Sequence, residues 1–235
     1  MRFGKRLVEG RLIRRYKRFL ADIQLPGGVV TAACPNTGSL MGCCEAGNRV
    51  WLSESDSATR KYRHTWELVE VGSRVMVGIN TGLPNALVAE AIADGTIREL
   101  SGYSEVRREV AFGEERSRVD LLLEGGRRKP CYVEVKNVTA AASRGVALFP
   151  DCVSERGSKH LRELMRLKAR GMRPVQLYCV QRGDVEEVRP ADGIDVEYGR
   201  TLREAIAAGV EVLAYRARVT PTEIRLAERI PVICP

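Results

Sequence analysis

The chain has 235 residues, 44% of them hydrophobic, and a formal net charge of +8. That is enough apolar material for one or two packed domains, and the basic balance favours an anionic partner such as nucleic acid. There is no 18-residue apolar run, and the charged start MRFGKRLVEGRLIRRYKRF lacks the apolar stretch of a secretory signal, so a cytoplasmic protein with no membrane partner is expected.

Near the start, Arg14, Arg15, Lys17 and Arg18 cluster with Tyr16 and Phe19. From there KRFLADIQL, VVTAACP, NRVWLSES, HTWELVEV and SRVMVGIN read as five short strands. Pro26-Gly27-Gly28, Asn36-Thr37-Gly38-Ser39, Gly47-Asn48 and Gly72-Ser73 separate them as turns. Five short strands in succession suit an OB-type barrel, with a different small β-barrel as the rival. Arg60, Lys61 and Arg63 lie with Tyr62 and Trp66 in the same region. Cations interleaved with aromatics suit phosphate contact plus base stacking, although a solvated charged face has the same composition.

At Thr81-Gly82-Leu83-Pro84 the pattern changes, which divides the chain into a barrel over residues 1–80 and a second domain over 81–235. NALVAEAIADG predicts a helix with Leu87, Ala91 and Ile92 on one face and Gly95 as its stop. GYSEVRREVAF, RSRVDLLLE and CYVEVKNVT read as strands, and TAAASRGVAL after them reads as less regular. RGSKHLRELMRLKARG predicts an amphipathic helix ended by Gly171, and RPVQLYCVQRG a strand. VEYGRTLREAIAAG predicts a helix ended by Gly209, and VEVLAYRARV the last strand. The order α-β-β-β-α-β argues an α/β layer with some parallel pairing.

The chemistry concentrates on Asp120 in SRVDLLL and on Glu134 and Lys136 in CYVEVKNVT. Residues i and i+2 of a strand share a face, so Glu134 and Lys136 project side by side. If the two strands form a hairpin, Asp120 converges on Glu134. Two hard carboxylates suit Mg²⁺ or Mn²⁺, with the Val135 carbonyl as a further ligand, and a neighbouring ammonium suits phosphate chemistry. A surface salt bridge has the same two-residue signature. Arg107 and Arg108 precede this pair of strands. Arg156, Lys159 and His160 lie at a helix start, where backbone N–H groups favour anions, and Gln181 and Arg182 end an apolar strand. His160 in isolation reads more readily as a packed or capping histidine than as a catalyst. The seven cysteines form no C-x-x-C pair and there are two histidines, so reduced thiols are expected rather than a zinc site. No phosphate-binding loop, dinucleotide fingerprint or nucleophile elbow is present.

The order helix, strand, strand with Asp120, strand with Glu134-x-Lys136 resembles the PD-(D/E)xK nuclease superfamily, although Val119 stands where its nominal motif has proline. The resemblance implies that Asp120 and Glu134 bind the metal and Lys136 positions or activates water. By helix position alone it adds Glu90 as a further carboxylate. The blocks CPNTGSLMGC, RKYRHTWELV, INTGLPNALVAEAI, ELSGYSEVRREV and FPDCVSERGSKHLREL resemble the sugar fermentation stimulation protein (SfsA) family along nearly the whole chain. That resemblance implies an OB-type domain followed by a nuclease-like domain, and DNA binding without sequence preference. Two readings follow. One is a Mg²⁺- or Mn²⁺-dependent deoxyribonuclease with Asp120, Glu134, Lys136 and Glu90 at its centre. The other is a catalytically weak or silent DNA-binding regulator of sugar metabolism. In both, Arg14, Arg15, Arg18, Arg60, Lys61, Arg107, Arg156 and Lys159 are the candidate DNA contacts. A metal-dependent hydrolase acting on something else is a third reading, and the oligomeric state, a homodimer included, is left open.

Overall fold

The computed structural model describes residues 1–72, 74–112, 117–143 and 145–235. Ser73 of the expected Gly72-Ser73 turn and Arg144 of TAAASRGVAL lie outside the described residues. No helix among those described is long and apolar enough to cross a membrane.

The barrel is built from β1 (Val8–Tyr16), β2 (Leu20–Leu25), β3 (Gly28–Ala33), β4 (Arg49–Glu54) and β5 (His64–Val71), with β6 (Val75–Gly78) as a hairpin arm on β5. The sheet runs β3-β2-β1-β4-β5-β6, and a short parallel contact of Ala32 and Ala33 with His64 and Thr65 closes the first five strands on themselves. Five strands were expected, but their membership differs. The expected set omitted β1 and counted β6 instead. In β1 only Gly10 and Leu12 point inward, between exposed arginines, so charge masked a period-two pattern. Gly10 is required there, because a Cβ would lie 2.6 Å from Ile23 Cγ2 and 2.9 Å from the Gln24 carbonyl. Leu12, Ile23, Val50, Leu52 and Trp66 fill the interior. Trp66, expected among surface aromatics, is fully buried and donates Nε1–H to the Leu68 carbonyl at 2.9 Å.

The second unit is a mixed six-stranded sheet in the order β15-β14-β12-β9-β8-β7. Its strands are β7 (Glu105–Phe112), β8 (Ser117–Glu124), β9 (Cys131–Val138), β12 (Arg173–Val180), β14 (Glu211–Val219) and β15 (Ile224–Ile230). β9, β12 and β14 are parallel, and the outer pairings are antiparallel. Residues Cys131, Val133 and Val135 of β9 pack with α1 (Pro84–Ala93) on one face. On the other face α2 (Glu155–Ala169) packs against α3 (Val196–Ala207) through Leu161, Leu164, Tyr198 and Leu202. Ser154 caps α2 by accepting from Gly157 N–H at 3.1 Å, a contact worth about 1 kcal/mol. Gly171 and Gly209 follow the two helices in left-handed geometry, φ +80° and +87°. The segment expected to be irregular instead supplies β10 (Ala141–Ser143) and β11 (Gly145–Phe149), which form a small sheet with β13 (Val185–Pro190).

The two units are joined at the end of β6. Gly78 N–H donates to the Gln181 carbonyl at 2.8 Å. Gln181 Nε2 reaches the Asn80 carbonyl at 3.2 Å and Asn137 Oδ1 at 2.7 Å. Asp151 accepts from Leu40 N–H at 3.0 Å and Ser39 Oγ at 3.3 Å.

Candidate metal and phosphate site

The β8–β9 ladder ends at the pair Leu121–Val133. The next position along it would set Asp120 opposite Glu134. There the strands part, and the Asp120 side chain takes the place of the ladder: its Oδ2 accepts Val135 N–H at 2.7 Å. Asn85, in the first turn of α1, donates Nδ2 to Asp120 Oδ1 at 2.9 Å. N–H and C=O of one strand residue leave on the same edge, so the Val135 carbonyl is directed into this fork beside Asp120.

Glu134 and Lys136 share the β9 face that α2 covers. Lys136 Nζ donates to Glu134 Oε1 at 2.7 Å, and His160 of α2 sets Nδ1 against the same oxygen. Arg156, one turn earlier, donates Nε–H to His160 Nε2 at 3.2 Å. An imidazole that accepts at Nε2 carries its proton on Nδ1, which makes His160 a donor to Glu134. Both contacts fall on Oε1, and none of the described residues hydrogen-bonds Oε2.

The two acids are unlike in electrostatics. Burial pushes the Asp120 carboxyl above the usual carboxylate range and the Glu134 charge adds to this, outweighing the bonds from Val135 and Asn85. For Glu134 burial is again the largest influence and acts upward, but the His160 bond and Lys136 together outweigh it and hold the carboxyl low. One carboxylate is thus held charged by its neighbours, while burial and the Glu134 charge outweigh the pull of Lys136 on the other, and a divalent cation between them would favour the ionised form of both. Among the described residues no three of His, Cys, Asp and Glu gather as a metal cluster. Two carboxylates and a carbonyl, with water completing the shell, fit Mg²⁺ or Mn²⁺, which keep several waters, and not a closed zinc site.

The structure therefore brings together Asp120, Glu134, Val135 and Lys136, with Arg156 beside them and Lys159 on the same helix turn. Glu90 does not join them, and this corrects the expectation for α1. It lies five residues beyond Asn85, about 140° around the helix, and its Oε1 accepts from the Met1 ammonium at 2.6 Å. Asn85 and Gln176 carry no sequence signal for this centre, and His160, expected as a packed or capping histidine, joins it through Glu134. Gln176 pairs in register with Glu134, is fully buried, and has no partner for either amide atom among the described residues.

The barrel cations are differently employed. Arg15 donates to the carbonyls of Arg18, Asn36, Gly38 and Ser39, so its guanidinium clamps a loop. Arg14 pairs with Asp22 at 2.9 Å over the Tyr16 ring. Arg18 occupies a left-handed turn, φ +63°. Arg60 donates to Thr65 Oγ1 at 2.7 Å and Lys61 lies over Tyr62. Arg107, on β7, pairs with Glu124 at 3.1 Å.

Comparison with known proteins matches residues 13–79 to the SfsA N-terminal OB domain and residues 82–223 to the sugar fermentation stimulation protein RE domain. The chain belongs to the SfsA family. Among its relatives, a sugar fermentation stimulation protein homolog of Thioalkalivibrio sulfidiphilus is 60% identical, covering 98% of this chain and 96% of that protein. One of Geobacter metallireducens is also 60% identical, covering 99% and 100%. The structure of Pyrococcus furiosus SfsA in complex with Ca²⁺ superposes with a TM-score of 0.88 at 26% identity, covering 99% of this chain and 98% of that one. The barrel followed by a mixed α/β unit is thus the SfsA architecture.

Proposed function

We propose that this SfsA-family protein binds DNA without sequence preference and hydrolyses phosphodiester bonds at the β8–β9 fork with Mg²⁺ or Mn²⁺. One observation carries the reading: Asp120 and Glu134 converge where two strands part, with the Lys136 ammonium 2.7 Å from Glu134. The Ca²⁺ complex of the Pyrococcus relative supports a hard-cation site, because Ca²⁺ and Mg²⁺ share oxygen ligands.

Asp120, Glu134 and the Val135 carbonyl would hold the ion, which when bound supplies a Lewis acid and an acidified water. Lys136 is oriented by its bond to Glu134, which leaves its other N–H groups available to a phosphate oxygen or an attacking water. His160 fixes the Glu134 carboxylate, and Arg156 fixes His160. The net charge of +8 and the basic barrel residues supply non-specific phosphate attraction.

A second reading, a DNA-binding regulator of sugar metabolism without cleavage, draws on the fact that Lys136 and His160 already engage one oxygen of Glu134. A DNA assay separates the two. Linear duplex and single-stranded DNA are incubated with the protein in Mn²⁺, in Mg²⁺ and in chelator, beside Lys136→Ala and Asp120→Asn. Metal-dependent cleavage lost in both variants supports the nuclease. Salt-sensitive binding with no cleavage supports the regulator, and no DNA affinity at moderate salt defeats both.

A further inference from the structure

A second polar site lies at the opposite end of the same sheet, where β9 and β12 begin. A cavity of about 380 Å³ is lined by Tyr103, Arg128, Lys129, Lys168, Met172 and Arg173. Four cations therefore converge on one hollow. Arg173 is fixed by two bonds to Glu211, 2.7 and 2.6 Å, and by one to the Tyr103 hydroxyl at 3.2 Å. The Tyr103 hydroxyl in turn donates to the Lys129 carbonyl at 3.1 Å. Arg128 lies over the Tyr103 ring and donates to the Glu99 carbonyl at 3.2 Å.

The backbone is shaped to deliver these groups. Gly125 and Gly126 adopt φ +82° and +75°, and a Cβ on Gly126 would lie 2.6 Å from the Gly102 carbonyl. The β8–β9 loop thus folds tightly onto the segment that carries Tyr103. Gly171, φ +80°, brings Met172 and Arg173 in beside Lys168.

Glu211 neutralises Arg173, but Lys129 and Lys168 have no acidic partner among the described residues. A concavity that gathers unpaired like charges attracts a compact anion and is relieved by it. The cations gather at one localised depression, whose size suits a small ligand better than a nucleic-acid strand. The volume falls in the range of small-molecule sites. Lys136 lies five residue steps, about 16 Å, along β9 from Cys131, which pairs with Arg173, so this hollow is distinct from the carboxylate fork.

We propose that this cavity binds the multiply charged phosphate group of a small molecule, such as a diphosphate ester. Titration calorimetry with sodium pyrophosphate and with inorganic phosphate tests this in chelator, so that no metal-bound pyrophosphate at the fork contributes. Pyrophosphate is expected to bind at least about tenfold more tightly than phosphate. Lys129→Ala and Lys168→Ala should each weaken it about tenfold, as loss of a charge-assisted contact does, while Lys136→Ala leaves it unchanged. Circular dichroism verifies that both cavity variants, which alter exposed side chains, are folded. Absence of binding at millimolar pyrophosphate, or equal binding by wild type and both variants, overturns the proposal. So does displacement of pyrophosphate by duplex DNA with a matching loss of DNA affinity in both variants, because the hollow would then belong to the DNA path.

Discussion

Asp120→Asn should have opposite effects on stability with and without metal. The carboxyl of Asp120 is raised in the folded protein, first by burial and then by Glu134. A raised acid opposes folding whenever it is ionised. The penalty is absent below the unfolded pKa of about 3.9, grows as pH rises to the folded pKa, and stays constant above it. Asparagine keeps the shape and removes the charge, and its amide still satisfies Val135 N–H while Asn85 turns its own oxygen inward. In chelator at pH 7.5 the variant should therefore melt no lower than wild type. Metal reverses the order. At a Mn²⁺ concentration about 100 times the Kd, ligand linkage adds roughly 2.7 kcal/mol to wild type. For a chain of this size that is a Tm rise of about 5–11 °C, and the variant should gain less than about 1 °C. Scanning fluorimetry with a Mn²⁺ series measures both. A variant less stable than wild type in chelator, or one with an equal Mn²⁺ gain, refutes the electrostatic reasoning.

Other substitutions probe the rest of the framework. Gln176→Leu should raise Tm in chelator, because the buried amide costs about 1–3 kcal/mol without partners; a fall would show that it is satisfied. Glu134→Gln, made in the Asp120→Asn background where the carboxylate repulsion is gone, should destabilise at pH 7. Glu134 is held low despite burial, so its contribution is present above the unfolded pKa of about 4.3 and is lost as acid titrates the folded carboxyl; a gap that does not narrow on acidification contradicts this. Asp195→Ala should cost about 1–3 kcal/mol in urea unfolding, since its two oxygens take Tyr198 N–H at 2.9 Å and Ser154 N–H at 2.7 Å.

Much of the sheet was readable because its signals are local. CYVEVKNVT sets Cys131, Val133 and Val135 on one face and Glu134 and Lys136 on the other, the period of two that marks a strand, and Gly171 and Gly209 mark true helix ends. β1 was hidden because its two inward positions are a glycine and a leucine among arginines. β15 alternates in the same way but follows a strand taken to be the last. The fork depends on where the β8–β9 register stops, a property of two strands together that neither sequence carries alone. Helix phase decided α1: Asn85 faces Asp120, while the more conspicuous acid, Glu90, turns to the N-terminus. His160 has an ordinary helix-start neighbourhood in sequence, and only the packing of α2 onto β9 reveals its contact with Glu134.

Anomalous diffraction from a crystal soaked in Mn²⁺ tests the fork most directly. The expected result is a single strong peak at coordination distance from one oxygen of Asp120, from Glu134 Oε2 and from the Val135 carbonyl, and its loss in Asp120→Asn. A peak that avoids both acids, or an empty fork at saturating Mn²⁺, would contradict the assignment of these residues as the metal site.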